Sequence, residues 1–127
     1  MRIDESRPIW GQLVDEFQRR ITSGEWPVGA KIPSVRELAL EIGVNPNTVQ
    51  KALGEVDRLG LTVTERTAGR FVTADERAID AARTRLAGDA AEYFAAAIIG
   101  LGMSLGTAQD LLAEHWNRKN RTSREDG

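Results

Sequence analysis

Pro33-Ser34-Val35-Arg36-Glu37-Leu38-Ala39, followed by Gly43-Val44-Asn45-Pro46-Asn47-Thr48-Val49 and then by Gly69-Arg70-Phe71-Val72, is the stretch whose reading decides the fold. Ser34 with Glu37 three residues on reads as a capping box, in which the hydroxyl accepts from a free backbone N–H and the carboxylate reaches back. Val35, Leu38, Ala39 and Ile42 then recur at helical spacing, and Gly43 ends that helix. Asn45 caps the next helix, with Pro46 at its first position, where the missing N–H costs nothing. Val49, Ala52, Leu53, Val56 and Leu59 supply its inner face, and Gly60 closes it. Two β-prone runs follow, Leu61 to Glu65 and Arg70 to Thr73, around the turn Arg66-Thr67-Ala68-Gly69, and together they predict a hairpin.

Outward from this stretch the pattern stays legible. Upstream, Pro8 opens a helix with Ile9, Trp10, Leu13, Val14, Phe17 and Ile21 on one face, and Gly24 stops it. Glu25 to Pro33, with two prolines and a glycine, reads as a loop. Downstream, from Asp75, Ile79, Ala82, Leu86, Ala90, Tyr93, Ala97 and Leu101 step by three and four, a narrow stripe of the kind that packs helix on helix. Gly100, Gly102 and Ser104 break the run. A last helix carries Leu105, Ala108, Leu111, Leu112 and Trp116, and Arg118 to Gly127 has no apolar residue. The expected fold class is α+β and mostly α. A winged helix-turn-helix covers residues 1–74, a small helical dimerisation region 75–117 and a flexible tail 118–127.

Composition narrows the function. There is no Cys, hence no disulfide framework and no thiolate metal site, which fits a reducing cytoplasm. No signal peptide is visible, and the longest apolar stretch, Tyr93 to Ile99, falls far short of the roughly 20 residues that span a bilayer. A cytoplasmic location is expected. The net charge of −2 does not by itself announce a nucleic-acid partner, so any such surface must come from where the charges sit. No nucleophile–base pair or Gly-rich phosphate loop is present, so an enzyme is not expected. Asp89 and Glu92 lack a His or Cys cluster, and the lone His115 reads as a helix-terminus partner, so neither metal nor cofactor is expected.

The tight turn Gly43-Val44-Asn45 between two helices matches a helix-turn-helix, whose second helix enters the major groove. Asn47, Thr48, Gln50 and Lys51 lie on its outer face, with groups able to meet base edges and phosphates. Blander readings exist for each residue. Asn45 to Thr48 is also a good helix cap, Lys51 a solvated lysine, Arg36 a partner for Glu37 or Glu41, and Arg66 and Arg70 ordinary edge-strand charges. Their fixed offsets within one unit favour the functional reading.

These motifs, with Pro8-Ile9-Trp10-Gly11-Gln12-Leu13, Gly24-Glu25-Trp26-Pro27-Val28-Gly29 and Gly60-Leu61, resemble the GntR family of bacterial regulators over roughly residues 7 to 73. The short helical remainder resembles the YtrA subfamily, and that resemblance implies dimerisation through this part. It further implies that Ser34 caps its helix and touches phosphate, that Arg36 reaches DNA, and that Asn45, Asn47, Thr48 and Gln50 occupy contact positions of the recognition helix. Lys51, Arg66 and the wing tip at Gly69 complete the expected DNA surface. The family implies repression, often of the regulator's own gene.

There are departures. Thr67 stands where a wing glycine is common, and Thr tolerates positive φ poorly. Gly54 interrupts the recognition helix, and Pro46 and Gln50 replace arginines of some members, which leaves the base code open. For dimerisation the stripe offers Ile79, Leu86, Tyr93, Phe94, Ala97 and Leu101, although aromatics such as Tyr93, Phe94 and Trp116 are more often core. The expected partners are a double-stranded DNA operator and a second copy. A small-molecule effector in the helical half, or a winged helix used only for protein contact, stays open.

Overall fold

The computed structural model describes residues 1–126. Its elements are α1 (Ile9–Thr22), α2 (Val35–Ile42), α3 (Pro46–Arg58), β1 (Thr62–Glu65), β2 (Gly69–Val72), α4 (Glu76–Gly100) and α5 (Leu105–Asp126). Among the described residues five helices and one two-stranded antiparallel sheet give the mostly helical α+β class that the sequence predicts, with the winged helix in the N-terminal part. No helix among the described residues is long and apolar enough to cross a membrane.

Local chemistry sets the helix ends. The Glu37 N–H donates to Ser34 Oγ at 3.1 Å, and the Ser34 N–H donates to Glu37 Oε1 at 3.3 Å, closing the capping box. Gly43 then takes φ +80°, a left-handed conformation that ends α2 within one residue. The Asn47 N–H donates to Asn45 Oδ1 at 2.7 Å and starts α3. At α1 the residue Pro8 lies just outside the helix with extended ψ, rather than at its first position. The buried Gln12 amide ties the N-terminal arm down instead, donating to the Asp4 carbonyl at 2.6 Å and accepting from its N–H at 2.7 Å.

The core forms where α1 packs on α3 and α2 closes the third side. Leu13, Phe17, Leu38, Val49, Leu53, Val56 and Leu61 are wholly buried. Trp26 stacks on Phe17 with ring centroids 5.5 Å apart. Across this packing the Arg20 guanidinium, on α1 and almost fully buried, donates to Glu41 Oε2 of α2 at 2.6 Å and to Glu16 Oε2 at 2.8 Å. It also lies 5.5 Å from the centre of the Trp26 ring. The Arg20 bond, opposed by a smaller burial effect, holds the Glu41 carboxyl below its ordinary value of 4.5.

The wing pairs β1 with β2 from Thr62↔Val72 to Glu65↔Gly69. The segment expected as a loop contributes a third edge. The Ile32 N–H donates to the Arg70 carbonyl at 3.0 Å and the Val72 N–H to the Ala30 carbonyl at 2.9 Å, while Lys31 bridges to Phe71.

Backbone packing divides the chain into two compact units, Met1–Ala87 and a second from Gly88 onward. A division near residue 74 was expected. The first turns of α4 belong to the first unit because Ile79 and Ala82 are buried in its core. Ile79 is thereby removed from the expected dimer seam. Among the described residues of the second unit only Ile98 and Ala108 are buried, with Phe94, Met103 and Leu111 half-buried. Tyr93 and Trp116 are 80% and 64% exposed, so these two aromatics are not core.

The tail expected from Arg118 is instead helix through Asp126, with Gly127 outside the described residues. A helix needs no apolar residue to continue when its side chains support it. Arg118 Nη2 donates to Glu114 Oε1 at 3.3 Å, one turn back and in the favourable order, and Thr122 Oγ1 donates to the Arg118 carbonyl.

Two tests follow from this packing. Gly54 is helical and exposed, and a Cβ there would meet nothing within 4 Å. Gly54→Ala is expected to raise stability by about 1 kcal/mol in urea unfolding. Glu41 has a folded pKa below its unfolded one, so its contribution is present above pH 4.5 and fades as pH falls through the lower folded value. Glu41→Gln is expected to lower the urea midpoint at neutral pH and to flatten the loss of stability below pH 4.5.

Candidate nucleic-acid interface

Three elements converge on one side of the first unit. The N-terminus of α2, the exposed flank of α3 and the wing enclose a cleft of about 470 Å³. Ser34, Gln50 and Gly69 all line it, with Thr67, Ala68 and Lys31 beside them. Ser34, Val35 and Glu37 of the α2 N-terminus are part of this lining, and a helix N-terminus favours an anion such as phosphate.

Gln50 faces this cleft from α3. On the other flank of the same helix Lys51 reaches back to α1, with Nζ 4.4 Å from the centre of the Trp10 ring. Asn47 is exposed at the helix start, Thr48 is half-buried, and Asn45 spends its side-chain oxygen on the cap. Ser34 likewise serves as a cap, so each keeps only its remaining hydrogen-bonding capacity for a ligand.

The wing is held to α3 by a compact polar strut. Arg70 donates from Nε and Nη2 to the two Asp57 carboxylate oxygens, at 3.1 and 3.0 Å. Thr62 Oγ1 and Thr64 Oγ1 donate to the same carboxylate. Arg70 is thus an internal brace. At the tip the Ala68 N–H donates to the Glu65 carbonyl at 3.3 Å, closing a short turn. Thr67 is spared strain, because the positive φ falls on Gly69, at +114°, and among the described residues no non-glycine has one.

Electrostatically the two populations of cations differ. Arg7, Arg19, Arg20, Arg58, Arg70 and Arg83 each hold an acidic partner. Among the described residues Lys31, Arg36, Lys51 and Arg66 are exposed and have no ion pair, and the same holds for Arg2, Arg77 and Arg85 away from these elements. Glu41, open to Arg36 in the sequence, is bound by Arg20, while Glu37 closes its capping box.

Residues 11–72 match the family described as bacterial regulatory proteins, gntR family. The chain is 34% identical over 103 residues to the uncharacterized HTH-type transcriptional regulator YhcF of Bacillus subtilis (strain 168), covering 81% of this chain and 85% of that protein. It belongs to the GntR family. A solved structure of a GntR family transcriptional regulator from Listeria monocytogenes superposes with a TM-score of 0.80 at 31% identity, over 88% of this chain and 98% of that one. The HTH-type transcriptional repressor YtrA of Bacillus subtilis (strain 168) is 41% identical over 68 residues, which are 54% of this chain and 52% of YtrA, in keeping with a YtrA-like subfamily. The chain is therefore a DNA-binding transcriptional regulator, and its relatives are named as regulators rather than enzymes.

In this GntR-family chain the cleft brings Ser34, Gln50 and Gly69 together, while Arg36, Asn47, Lys51 and Arg66 stand exposed outside its lining. Of the residues expected at the dimer seam, Tyr93, Ala97 and Leu101 are exposed in the second unit and Phe94 is half-buried. Leu86 is half-buried in the first unit. Among the described residues no group of His, Cys, Asp or Glu could hold a metal ion. Sequence reasoning missed Asp57 and Lys31. Asp57 gives no pattern signal, since its partners lie in the wing. Lys31 has one: Ala30-Lys31-Ile32 places a buried Ile beside an exposed Lys, the alternation of a strand edge.

Asn47→Ala with Gln50→Ala is expected to reduce sequence discrimination by about 1–3 kcal/mol at the affected base pairs. Arg36→Ala is expected to weaken binding to all duplexes. Competition binding against single-base operator variants separates the two, and undiminished discrimination in the double variant would place base reading elsewhere.

Proposed function

We propose that this chain is a repressor that binds a palindromic operator as a homodimer, with α3 in the major groove and the wing reaching toward the flanking minor groove. The observation that carries the DNA part is that Lys31, Arg36, Lys51 and Arg66, on α2, α3 and the wing with its edge, are exposed and hold no ion pair among the described residues, although Arg58 and Arg70 of the same elements are paired. An overall charge of −2 is then no obstacle, because a phosphate backbone meets the local field. The proposed contacts are those of Ser34, Arg36, Asn45, Asn47, Thr48, Gln50, Lys51, Arg66 and Gly69, with Ser34 and Asn45 acting through the helix termini they cap. Similarity to a named repressor supports the sign of regulation.

The second unit supports the dimer. Tyr93, Ile99, Leu101, Leu105, Leu112 and Trp116 are all at least half exposed, more apolar surface than two helices leave to water without a partner. Tyr93 and Ala97 on α4 and Leu101 just past its end step by four, and Leu105, Leu112 and Trp116 step by seven and four along α5. Such spacing lets another helix pair close over them. A second copy would also give the two half-sites of an inverted repeat.

Sedimentation should find a dimer for the wild-type chain and a folded monomer for Tyr93→Glu with Leu101→Glu, since both positions are exposed. A wild-type monomer at micromolar concentration would refute the assembly. Duplexes enriched from a random pool should contain an inverted repeat with half-sites about one helical turn apart or a multiple of it. Transcription in vitro from the gene's own promoter should fall as protein is added.

A further inference from the structure

Lys31 was not among the residues expected to touch DNA, and the resemblance does not point to it. It sits on the third edge of the wing, where its bridge to Phe71 fixes the backbone. Its side chain crosses the wing at Gly69. A Cβ built on Gly69 would stand 2.8 Å from Lys31 Cε and 3.5 Å from Nζ. The missing side chain of Gly69 is therefore a slot, and the lysine stem lies in it. Gly69 answers two demands at once, the φ of +114° and the room for the lysine.

The ammonium at the end of that stem has no carboxylate within ion-pair distance among the described residues. It borders the cleft that also receives Ser34 and Gln50. The acid in the lining, Glu37, is already engaged by the Ser34 N–H. Resting the apolar stem on backbone while the charged head faces water is how a lysine covers surface without losing hydration. The stem is also held by its slot, so less side-chain freedom is lost when the head meets an anion.

We propose that Lys31, seated in the Gly69 slot, is a phosphate contact of the wing, a point charge delivered beside the tip. This rests on the DNA-binding reading above and adds to it a contact outside the helix-turn-helix. A compact ammonium without a paired acceptor carries no base code, so the contact strengthens binding to every sequence alike.

The test uses the full chain and duplexes enriched by the wild-type protein from a random pool, with affinity measured against log salt. A steep wild-type slope establishes DNA binding independently of Lys31, and a flat one removes the reading on which the inference rests. Given a steep slope, Lys31→Ala is expected to lower it by about 1 for each protomer and to weaken all duplexes by a similar factor, while Lys31→Arg keeps the slope. An unchanged slope in Lys31→Ala would overturn the contact, and a loss confined to some sequences would overturn its assignment to phosphate. Gly69→Ala should weaken binding less in the Lys31→Ala background than in the wild type, because the slot then has no tenant. Strictly additive losses would overturn the coupling between the two residues.

Discussion

The buried guanidinium of Arg20 is the constraint from which the rest of the first unit follows. A charge taken out of water must be paired and fully hydrogen-bonded or the fold cannot keep it. Arg20 meets that demand with Glu16 on its own helix, with Glu41 on α2, and with the Trp26 ring beneath it. The three partners come from α1, α2 and the connection between them, so satisfying one side chain fixes how these parts sit together. Glu41 is spent on Arg20, while Arg36, five residues earlier and on another face of α2, is exposed without an ion pair.

A second brace does the same for the wing. A two-stranded hairpin alone is marginal in water, and this one is steadied from both sides. Ala30 to Ile32 pairs along β2, and Asp57 on α3 gathers Arg70, Thr62 and Thr64. Because Asp57 lies on the helix that carries Asn47 and Gln50, the wing is referenced directly to the reading helix. Two of the elements that would touch a duplex are thus set by one carboxylate, which matters because misplacement of a contact by even an ångström forfeits most of a hydrogen bond.

The sequence made the helix boundaries legible because they are encoded in local chemistry. Ser34 with Glu37, Gly43, and Asn45 with Pro46 act through backbone groups only a few residues away, and the structure shows each bond or dihedral. What escaped the sequence was everything decided by a distant partner. Ile79 and Tyr93 stand on one periodic stripe of α4, yet the first is buried in the N-terminal unit and the second is among the most exposed side chains. Periodicity reports that a face will be covered, not by what, and a long helix can change partners along its length. The same limit hid Asp57 and Lys31, whose roles exist only once the wing has folded. For Arg118 to Asp126 the fault was different. The absence of apolar residues was read as the absence of structure, whereas Glu114 with Arg118 and the Thr122 hydroxyl sustain the helix from its own surface.

These observations bear on how a slightly acidic chain can bind a polyanion. Counting charges treats every arginine as equivalent, and here they are not. Six arginines of the first unit are spent on neighbouring carboxylates, and those pairs present little net field to a ligand. Phosphate would meet mainly the cations that folding leaves unmatched; Arg2, Arg77 and Arg85 are such cations too, but Lys31, Arg36, Lys51 and Arg66 belong to α2, α3 and the wing with its edge. Glu16, Glu41 and Asp57 count towards the negative total while they hold the fold together. The pattern that decides a partner is therefore the residue of the pairing left by folding, which a net charge cannot express and which the path from Pro33 to Gly69 makes visible only once Arg20 and Asp57 have claimed their partners.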